Sequence, residues 1–184
     1  PETEELVELI LSENPETPLS VLDIGTGSGA IALALANSRP DWKITASDLS
    51  KDALSLAAEN AQFCGLNLTL VQSDCLDAIQ GKFDIIASNP PYISEEDKDE
   101  VGLNVLTSEP HMALFAEEDG YEVYRKIAEQ AGDYLTEKGK IYLEIGYKQG
   151  DGVVDLLKQF FPQKRIRVLK DQFGKDRMVA MDNG

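Results

Sequence analysis

The chain has 184 residues, 42% of them hydrophobic and 7% aromatic, which is typical of a single globular domain. Its 17 basic and 33 acidic residues give a net charge of −16, which disfavours stable binding to nucleic-acid backbones. No apolar run approaches the roughly 18 residues of a membrane span, and the start lacks the layout of a signal peptide. We therefore expect a cytoplasmic protein whose cysteines, Cys64 and Cys75, are free thiols.

Helical and strand patterns alternate along most of the chain. The first dozen residues have helical apolar spacing, and the next strands are predicted at 20–25, 43–48, 68–74 and 82–88. Helices are predicted between them at about 28–37 and 50–63. This alternation is typical of an open α/β sheet with parallel strands and helices on both faces.

The remaining elements follow a polar stretch from 93 to about 119, which is long for a connection and is a candidate lid or binding loop. A helix near 120–136, a strand at 140–146 and a helix near 148–160 come next. The final runs "RIRVLK" and "RMVAMD" are close enough to form an antiparallel hairpin. The sequence thus predicts a seven-stranded, mostly parallel sheet.

A glycine-rich loop, within "DIGTGSGAIALALA", follows the first strand. Gly25, Gly27 and Gly29 would let a cofactor approach the backbone, and with Ala30 the loop also fits a dinucleotide-binding pattern. Asp23 would repel a pyrophosphate but attract the ammonium group of an amino acid. S-adenosylmethionine fits, because it has a ribose and an ammonium group but no phosphate.

Two further acidic residues follow the second and third strands. Asp48 is placed to accept the hydroxyls of a ribose, although an acid at a helix N-terminus capped by Ser50 is an alternative. Asp74 is placed to accept the amine of an adenine, with Cys75 or Leu76 lining the ring, and a simple turn residue is the alternative.

The fourth strand runs into Asn89-Pro90-Pro91-Tyr92. A proline-stiffened turn would explain the prolines alone, but the segment is also extended and rich in hydrogen-bond acceptors. Two acceptors on a planar –NH₂ group would orient its nitrogen and raise its electron density, without a metal or a strong base. The Tyr92 ring could cover such an amide and face a cationic methyl group, or be an ordinary half-buried aromatic.

Together, "DIGTGSG", "SDLS", "SDCLD" and "SNPPYI" resemble the class I S-adenosylmethionine-dependent methyltransferases, and the last motif is typical of those that methylate amino groups. Four longer stretches are similar to the protein-(glutamine-N5) methyltransferases of peptide chain release factors. They are "PETEELVE", "EPHMALFAEEDGYEVYRKI", "LEIGYKQG" and "KDQFGKDRMV".

The resemblance implies a Rossmann-like class I methyltransferase fold over residues 1–184 as one domain, without the family's N-terminal substrate-recognition domain. It implies S-adenosyl-L-methionine as cofactor, S-adenosyl-L-homocysteine as product, no metal, and the Gln of the Gly-Gly-Gln motif of class 1 release factors as substrate. We expect a monomer that binds neither membranes nor, stably, nucleic acid.

The residue patterns and the resemblance together predict a set of site residues. Asn89, Pro90 and Tyr92 are the predicted catalytic residues, and with Pro91 they form the predicted substrate site. The predicted cofactor site comprises Asp23, Gly25, Thr26, Gly27, Ser28, Gly29, Asp48, Leu49, Asp74, Cys75 and Asn89.

Other functions remain open from the sequence. An adenine-N6 methyltransferase shares the Asn-Pro-Pro-Tyr motif but needs a basic groove or a recognition domain, which this acidic chain does not show. A nicotinamide-dependent oxidoreductase would use the glycine loop but leaves Asp23 and the proline motif unexplained. A non-catalytic module that retains the fold is a third alternative. We expect His111, the only histidine, to be a structural loop residue rather than a general base.

Overall fold

Seven strands form one sheet in a computed structural model that describes residues 2–15, 17–90 and 110–184, with the backbone alone for residues 2 and 110–119. The strands are β1 Ser20–Ile24, β2 Lys43–Asp48, β3 Thr69–Gln72, β4 Phe83–Ser88, β5 Leu135–Glu144, β6 Arg165–Lys170 and β7 Asp176–Asp182. The helices are α1 Glu2–Glu13, α2 Ala30–Ser38, α3 Lys51–Cys64, α4 Pro110–Gln130 and α5 Gly150–Phe160, and a short 3₁₀ helix, Ala131–Tyr134, precedes β5.

The strand order across the sheet is β3-β2-β1-β4-β5-β7-β6. The first five strands of the chain pair in parallel, while β7 pairs antiparallel with both β5 and β6. The predicted Rossmann-like sheet with an antiparallel C-terminal hairpin is therefore confirmed. Ile24 aligns with both Ser47 and Ser88, and Ser88 aligns with Leu143, so the carboxyl ends of β1, β2, β4 and β5 lie at one edge.

Side chains alternate between the two faces of the sheet, as the period of a strand requires. In β4, Ile85 belongs to a buried apolar cluster with residues of α1 and α2, while Ile86 belongs to a second cluster with residues of α4 and α5. Both isoleucines are fully buried. The sheet is thus covered on both faces, as predicted.

Helix α1 is fixed to the sheet near its C-terminal end. Glu13 accepts hydrogen bonds from the Tyr142 hydroxyl at 2.9 Å and from Arg167 Nη2 at 2.9 Å. Asn14, just after the helix, donates through Nδ2 to the Ile10 carbonyl at 2.7 Å and to the Tyr142 hydroxyl at 3.2 Å. These contacts hold α1 in place, and its first turn lies near the end of β4, where Thr3 contacts Asn89.

Helix α4 begins earlier than the sequence predicts. Residues 110–119 are helical, so the prediction of a polar loop is wrong over that range, while residues 91–109 lie outside the described residues. Proline is favoured in the first turn of a helix, and the Ala, Leu and Glu residues that follow are good helix formers. Because the "EEDG" run is polar, the sequence pattern did not indicate that the helix begins before it. The helix also ends sooner than predicted, at Gln130, and β5 begins at Leu135.

Two general expectations can be compared with the described residues. Cys64 is exposed, Cys75 is buried, and both are free thiols as predicted. Within residues 2–15, 17–90 and 110–184, no helix has the length and apolar character needed to cross a membrane.

Candidate functional site

The glycine loop connects β1 to α2 at the carboxyl edge of the sheet. Gly25, Gly27 and Gly29 have φ angles of 68°, 57° and 88°, which favour glycine. A Cβ atom built on Gly25 or Gly27 would meet nothing within 4 Å, whereas one on Gly29 would lie 3.3 Å from the Cβ of Ala57. The first two glycines therefore leave space for a ligand against the backbone, and the third allows α3 to pack closely.

Hydrogen bonds from the neighbouring elements hold this loop in shape. The Thr26 N–H donates to the Ser47 carbonyl at the end of β2, and the Gly29 N–H donates to the Thr26 carbonyl, both at 2.9 Å. Asn60 of α3 donates through Nδ2 to the Ser28 carbonyl, also at 2.9 Å. The predicted cofactor loop is thus a fixed feature between β1, β2 and α3.

Asp23 lies under the loop and is 1% exposed. Its Oδ2 atom accepts a hydrogen bond from the Thr26 hydroxyl at 2.7 Å, but its buried Oδ1 atom makes no hydrogen bond with any described residue. Burial raises the pKa of Asp23 to about 7, and the Thr26 hydroxyl and the Ala32 backbone N–H offset part of that rise. A cationic group placed at Oδ1 would stabilise the ionised carboxylate.

Asp48 joins the loop to the start of α3. Its Oδ2 atom accepts from the Gly27 N–H and its Oδ1 atom from the Ser50 N–H, both at 2.9 Å. Ser50 caps α3 with its own hydroxyl, which accepts from the Ala53 N–H at 3.2 Å, so the alternative of an acid beside a helix N-terminus capped by Ser50 also fits this arrangement. Each carboxylate oxygen retains lone-pair capacity for a further donor, as two ribose hydroxyls would require.

Leu49 follows Asp48 and is 65% exposed. Its carbonyl accepts a hydrogen bond from Gln72 Nε2 at 3.1 Å, which ties it to the end of β3. An exposed apolar side chain between the ends of β2 and β3 can pack against a flat ring. That Leu49 belongs to the cofactor site stays a prediction.

Asp74 carries an interaction that the sequence did not predict. Both of its carboxylate oxygens lie within hydrogen-bond distance of Lys126 Nζ on α4, at 3.0 and 3.2 Å. Cys75, which follows it, has a φ of 53° and is buried, and burial raises the pKa of its thiol to about 11. Cys75 is therefore neutral at physiological pH and can line a pocket only as a small apolar group.

Asn89 and Pro90 follow β4 directly, beside the end of β1. Ser88 donates through its hydroxyl to the Ile24 carbonyl at 2.7 Å, which fixes the two strand ends together. Asn89 Nδ2 donates to the Thr3 hydroxyl oxygen at 3.3 Å, and Pro90 is buried. Thr3 was not among the predicted site residues, because its position in a helical pattern gives no sign of this contact.

Pro91 and Tyr92 lie outside the described residues, as do the side chains of residues 110–119. The backbone of His111 belongs to α4 rather than to a loop, which corrects that part of its prediction. Among the side chains that are described, no group of three or more His, Cys, Asp or Glu residues could hold a metal ion.

The sequence matches known methyltransferases. Residues 3–114 match the model of the methyltransferase small domain family. The chain is 67% identical over 184 residues to a release factor glutamine methyltransferase of Streptococcus pneumoniae, covering 100% of this chain and 66% of the relative. It is 55% identical to the protein of the same name from Lactococcus lactis, covering 98% of this chain and 67% of the relative. The chain thus spans about two thirds of the length of these curated relatives.

Solved structures agree with the fold. A ribosomal protein L11 methylase from Lactobacillus delbrueckii subsp. bulgaricus superposes with a TM-score of 0.70 at 24% identity, covering 98% of this chain and 78% of that one. A magnesium protoporphyrin IX methyltransferase from Synechocystis, solved with bound S-adenosylmethionine, superposes with a TM-score of 0.63 at 16% identity. The match covers 99% of this chain and 78% of that one. At these identities the likeness shows the fold alone.

Proposed function

The chain belongs to the release factor glutamine methyltransferases, and we propose that it methylates the side-chain amide nitrogen of the Gln in the Gly-Gly-Gln motif of class 1 release factors. The membership rests on similarity to relatives of that name over nearly the whole of this chain. The methyl donor in this proposal is S-adenosylmethionine and the product is S-adenosylhomocysteine. Because the substrate is a translation factor, the proposed place of action is the cytoplasm.

The observation that carries the proposal is the orientation of Asn89. Its Nδ2 atom donates to Thr3, so its Oδ1 atom is left as an acceptor at the end of β4. The following residue, Pro90, has no N–H group, so the Asn89 and Pro90 carbonyls add acceptors without a competing donor. A cluster of acceptors beside the cofactor loop suits a substrate that presents two N–H bonds on one nitrogen.

The residues under the loop fit the proposed cofactor. The buried Oδ1 of Asp23, which has no hydrogen-bond partner among the described residues, suits an ammonium group. The open faces of Gly25 and Gly27 suit close approach of a ligand, and Asp48 suits ribose hydroxyls. Asp74 would accept from the adenine amine, and Leu49 and Cys75 would contact the ring. A pyrophosphate beside Asp23 would be repelled, which disfavours a nicotinamide cofactor.

The mechanism follows from the poor nucleophilicity of an amide nitrogen, whose lone pair is delocalised. When bound, S-adenosylmethionine supplies an electrophilic sulfonium methyl group, and its carbon–sulfur bond breaks as the carbon–nitrogen bond forms. The Asn89 side chain and the Pro90 carbonyl would accept hydrogen bonds from the two N–H groups of the substrate amide. These two hydrogen bonds would fix the plane of the amide and raise the electron density on its nitrogen. One amide proton then passes to water. Tyr92 is proposed to cover the amide.

The experiment is a methyl-transfer assay with labelled S-adenosylmethionine. The substrates are a class 1 release factor, the same factor with Glu in place of the motif Gln, and double-stranded DNA. We expect label on the Gln factor alone. Labelling of DNA in preference to the release factor would support the adenine-N6 alternative, and equal labelling of the Glu factor would exclude the side-chain amide as acceptor.

A further inference from the structure

Helix α4 holds the segment that follows β3. Lys126 Nζ contacts both carboxylate oxygens of Asp74 at 3.0 and 3.2 Å. One turn later, Gln130 accepts from the Leu76 N–H at 3.3 Å through Oε1 and donates through Nε2 to Asp77 Oδ1 at 3.1 Å. Two side chains on one face of α4 thus fix three positions of a segment only four residues long.

The held segment also has a constrained backbone of its own. Cys75 adopts a φ of 53°, which residues with a Cβ rarely adopt and which persists where the surroundings fix it. The Ser73 hydroxyl donates to the Cys75 carbonyl and accepts from the Ala78 N–H, both at 2.9 Å. The backbone of the segment is therefore held on both sides of Asp74, and the Asp74 side chain itself is held by Lys126.

We propose that Lys126 is a positioning residue that sets the selectivity of the cofactor site for the 6-amino group of adenine. The proposal rests on the proposed function, in which Asp74 accepts a hydrogen bond from that amine. A lysine bound to both oxygens fixes the plane of the carboxylate, and each oxygen retains a lone pair for a further donor. A 6-oxo base would instead present an acceptor to the carboxylate and be repelled.

An ordinary surface ion pair would behave differently. The side chains of Lys126 and Asp74 are 34% and 49% exposed, and pairs of that exposure contribute little to stability. If Lys126 only stabilised the segment, its removal would weaken all nucleoside ligands by the same factor. If Lys126 orients Asp74, its removal would weaken the binding of the 6-amino ligand more than the binding of the 6-oxo ligand.

The test measures dissociation constants by calorimetry for S-adenosylhomocysteine and for S-inosylhomocysteine, its 6-oxo analogue. We expect the unaltered chain to prefer the adenosyl ligand and Lys126→Met to reduce that preference about five- to tenfold, because a misoriented carboxylate loses only part of the roughly 13- to 160-fold that one hydrogen bond to a charged group contributes. Arg125→Met removes the same charge from an exposed neighbouring position, and Glu122→Gln removes the other carboxylate near Lys126, 3.7 Å away. Both controls should leave the preference unchanged.

A double-mutant cycle shows whether Lys126 acts through Asp74. In an Asp74→Asn background, Lys126→Met should have no further effect on the preference. An unchanged preference in the single variant, an equal loss for both ligands, or a further loss in the Asp74→Asn background would overturn the positioning role. Failure of the unaltered chain to bind S-adenosylhomocysteine would instead contradict the proposed function. Circular dichroism of each variant controls for folding.

Discussion

The side-chain nitrogen of Asn89 donates a hydrogen bond to the hydroxyl oxygen of Thr3, 3.3 Å away and 86 residues earlier in the chain. An asparagine amide has one acceptor and one donor end, so a partner for the donor end determines where the acceptor faces. Thr3 lies in the first turn of α1, and the C-terminal end of that helix is fixed by Tyr142 and Arg167. The first helix therefore orients a residue of the proposed catalytic motif.

Thr3→Val should slow methyl transfer while preserving cofactor binding. Valine keeps the branched shape and removes the acceptor, and the loss of one such hydrogen bond is worth about 0.5–1.5 kcal/mol, or roughly 2- to 13-fold in rate. Thr3→Ser keeps the hydroxyl and should retain most of the activity. The measurements are kcat with a release factor and the dissociation constant of S-adenosylhomocysteine. Equal kcat values for the valine and serine variants would contradict the orienting role.

Asn89→Ala should have a larger effect, because it removes the acceptor that we propose contacts the reacting amide. Loss of one such contact in a desolvated transition state costs about 2.7–4 kcal/mol, which corresponds to a 10²- to 10³-fold fall in kcat. Cofactor affinity should fall less than kcat. Single-turnover transfer to the Gln release factor measures the chemical step, and transfer at the unaltered rate would show that the amide clamp is wrong.

Asp48→Ala should act on the cofactor. Removing acceptors for two ribose hydroxyls costs about 1–3 kcal/mol, or roughly 5- to 150-fold in the affinity for S-adenosylhomocysteine. The change also releases the Gly27 and Ser50 N–H groups, so the thermal midpoint without ligand must be measured alongside. The unaltered chain should bind S-adenosylhomocysteine and not NAD. Tighter binding of NAD would favour an oxidoreductase.

Gly29→Ala should destabilise the fold more than Gly174→Ala. Both glycines have positive φ, at 88° and 78°, where a residue with a Cβ is strained by roughly 1–2 kcal/mol. Only at Gly29 would the new atom crowd neighbours, Ala57 and Leu33, each 3.3 Å away, and overpacking adds about 1–3 kcal/mol. Denaturant unfolding of both variants measures the difference. If both variants lose the same free energy of unfolding, α3 can move away from the added methyl group without destabilising the fold.

The sequence predicted every strand and the position of the glycine loop, because both depend on local patterns. Short apolar runs bounded by turn residues identify strands, and parallel strands bring their carboxyl ends to one edge. It did not predict the contacts of Lys126 with Asp74 or of Thr3 with Asn89, since these join residues 52 and 86 positions apart and depend on how helices pack. The order β5-β7-β6 likewise arises from tertiary packing, because a hairpin can join an edge by either strand.

The buried carboxyl group of Asp23 predicts how the stability of the domain and its affinity for the cofactor depend on pH. Its pKa is raised by burial from 3.8 to about 7, so the free folded protein binds a proton there that the unfolded chain releases at a lower pH. The Asp23 contribution to stability without ligand is thus present below about pH 4 and is lost as the pH rises through 7. Cofactor binding has the opposite dependence, because the proposed ammonium contact requires the ionised carboxylate.

Affinity for S-adenosylhomocysteine should therefore rise about tenfold between pH 6 and pH 8, as the ionised fraction of a group with a pKa near 7 rises from about a tenth to nine tenths. Asp23→Asn has no proton to lose, so its affinity should be lower and nearly independent of pH over this range. Its stability without ligand should also fall less than that of the unaltered chain as the pH rises. Calorimetry at several pH values, in buffers of different ionisation enthalpy, also counts the protons released on binding. If the affinity of the unaltered chain does not change between pH 6 and pH 8, or the asparagine variant shows the same rise, Asp23 is not the group that binds the ammonium.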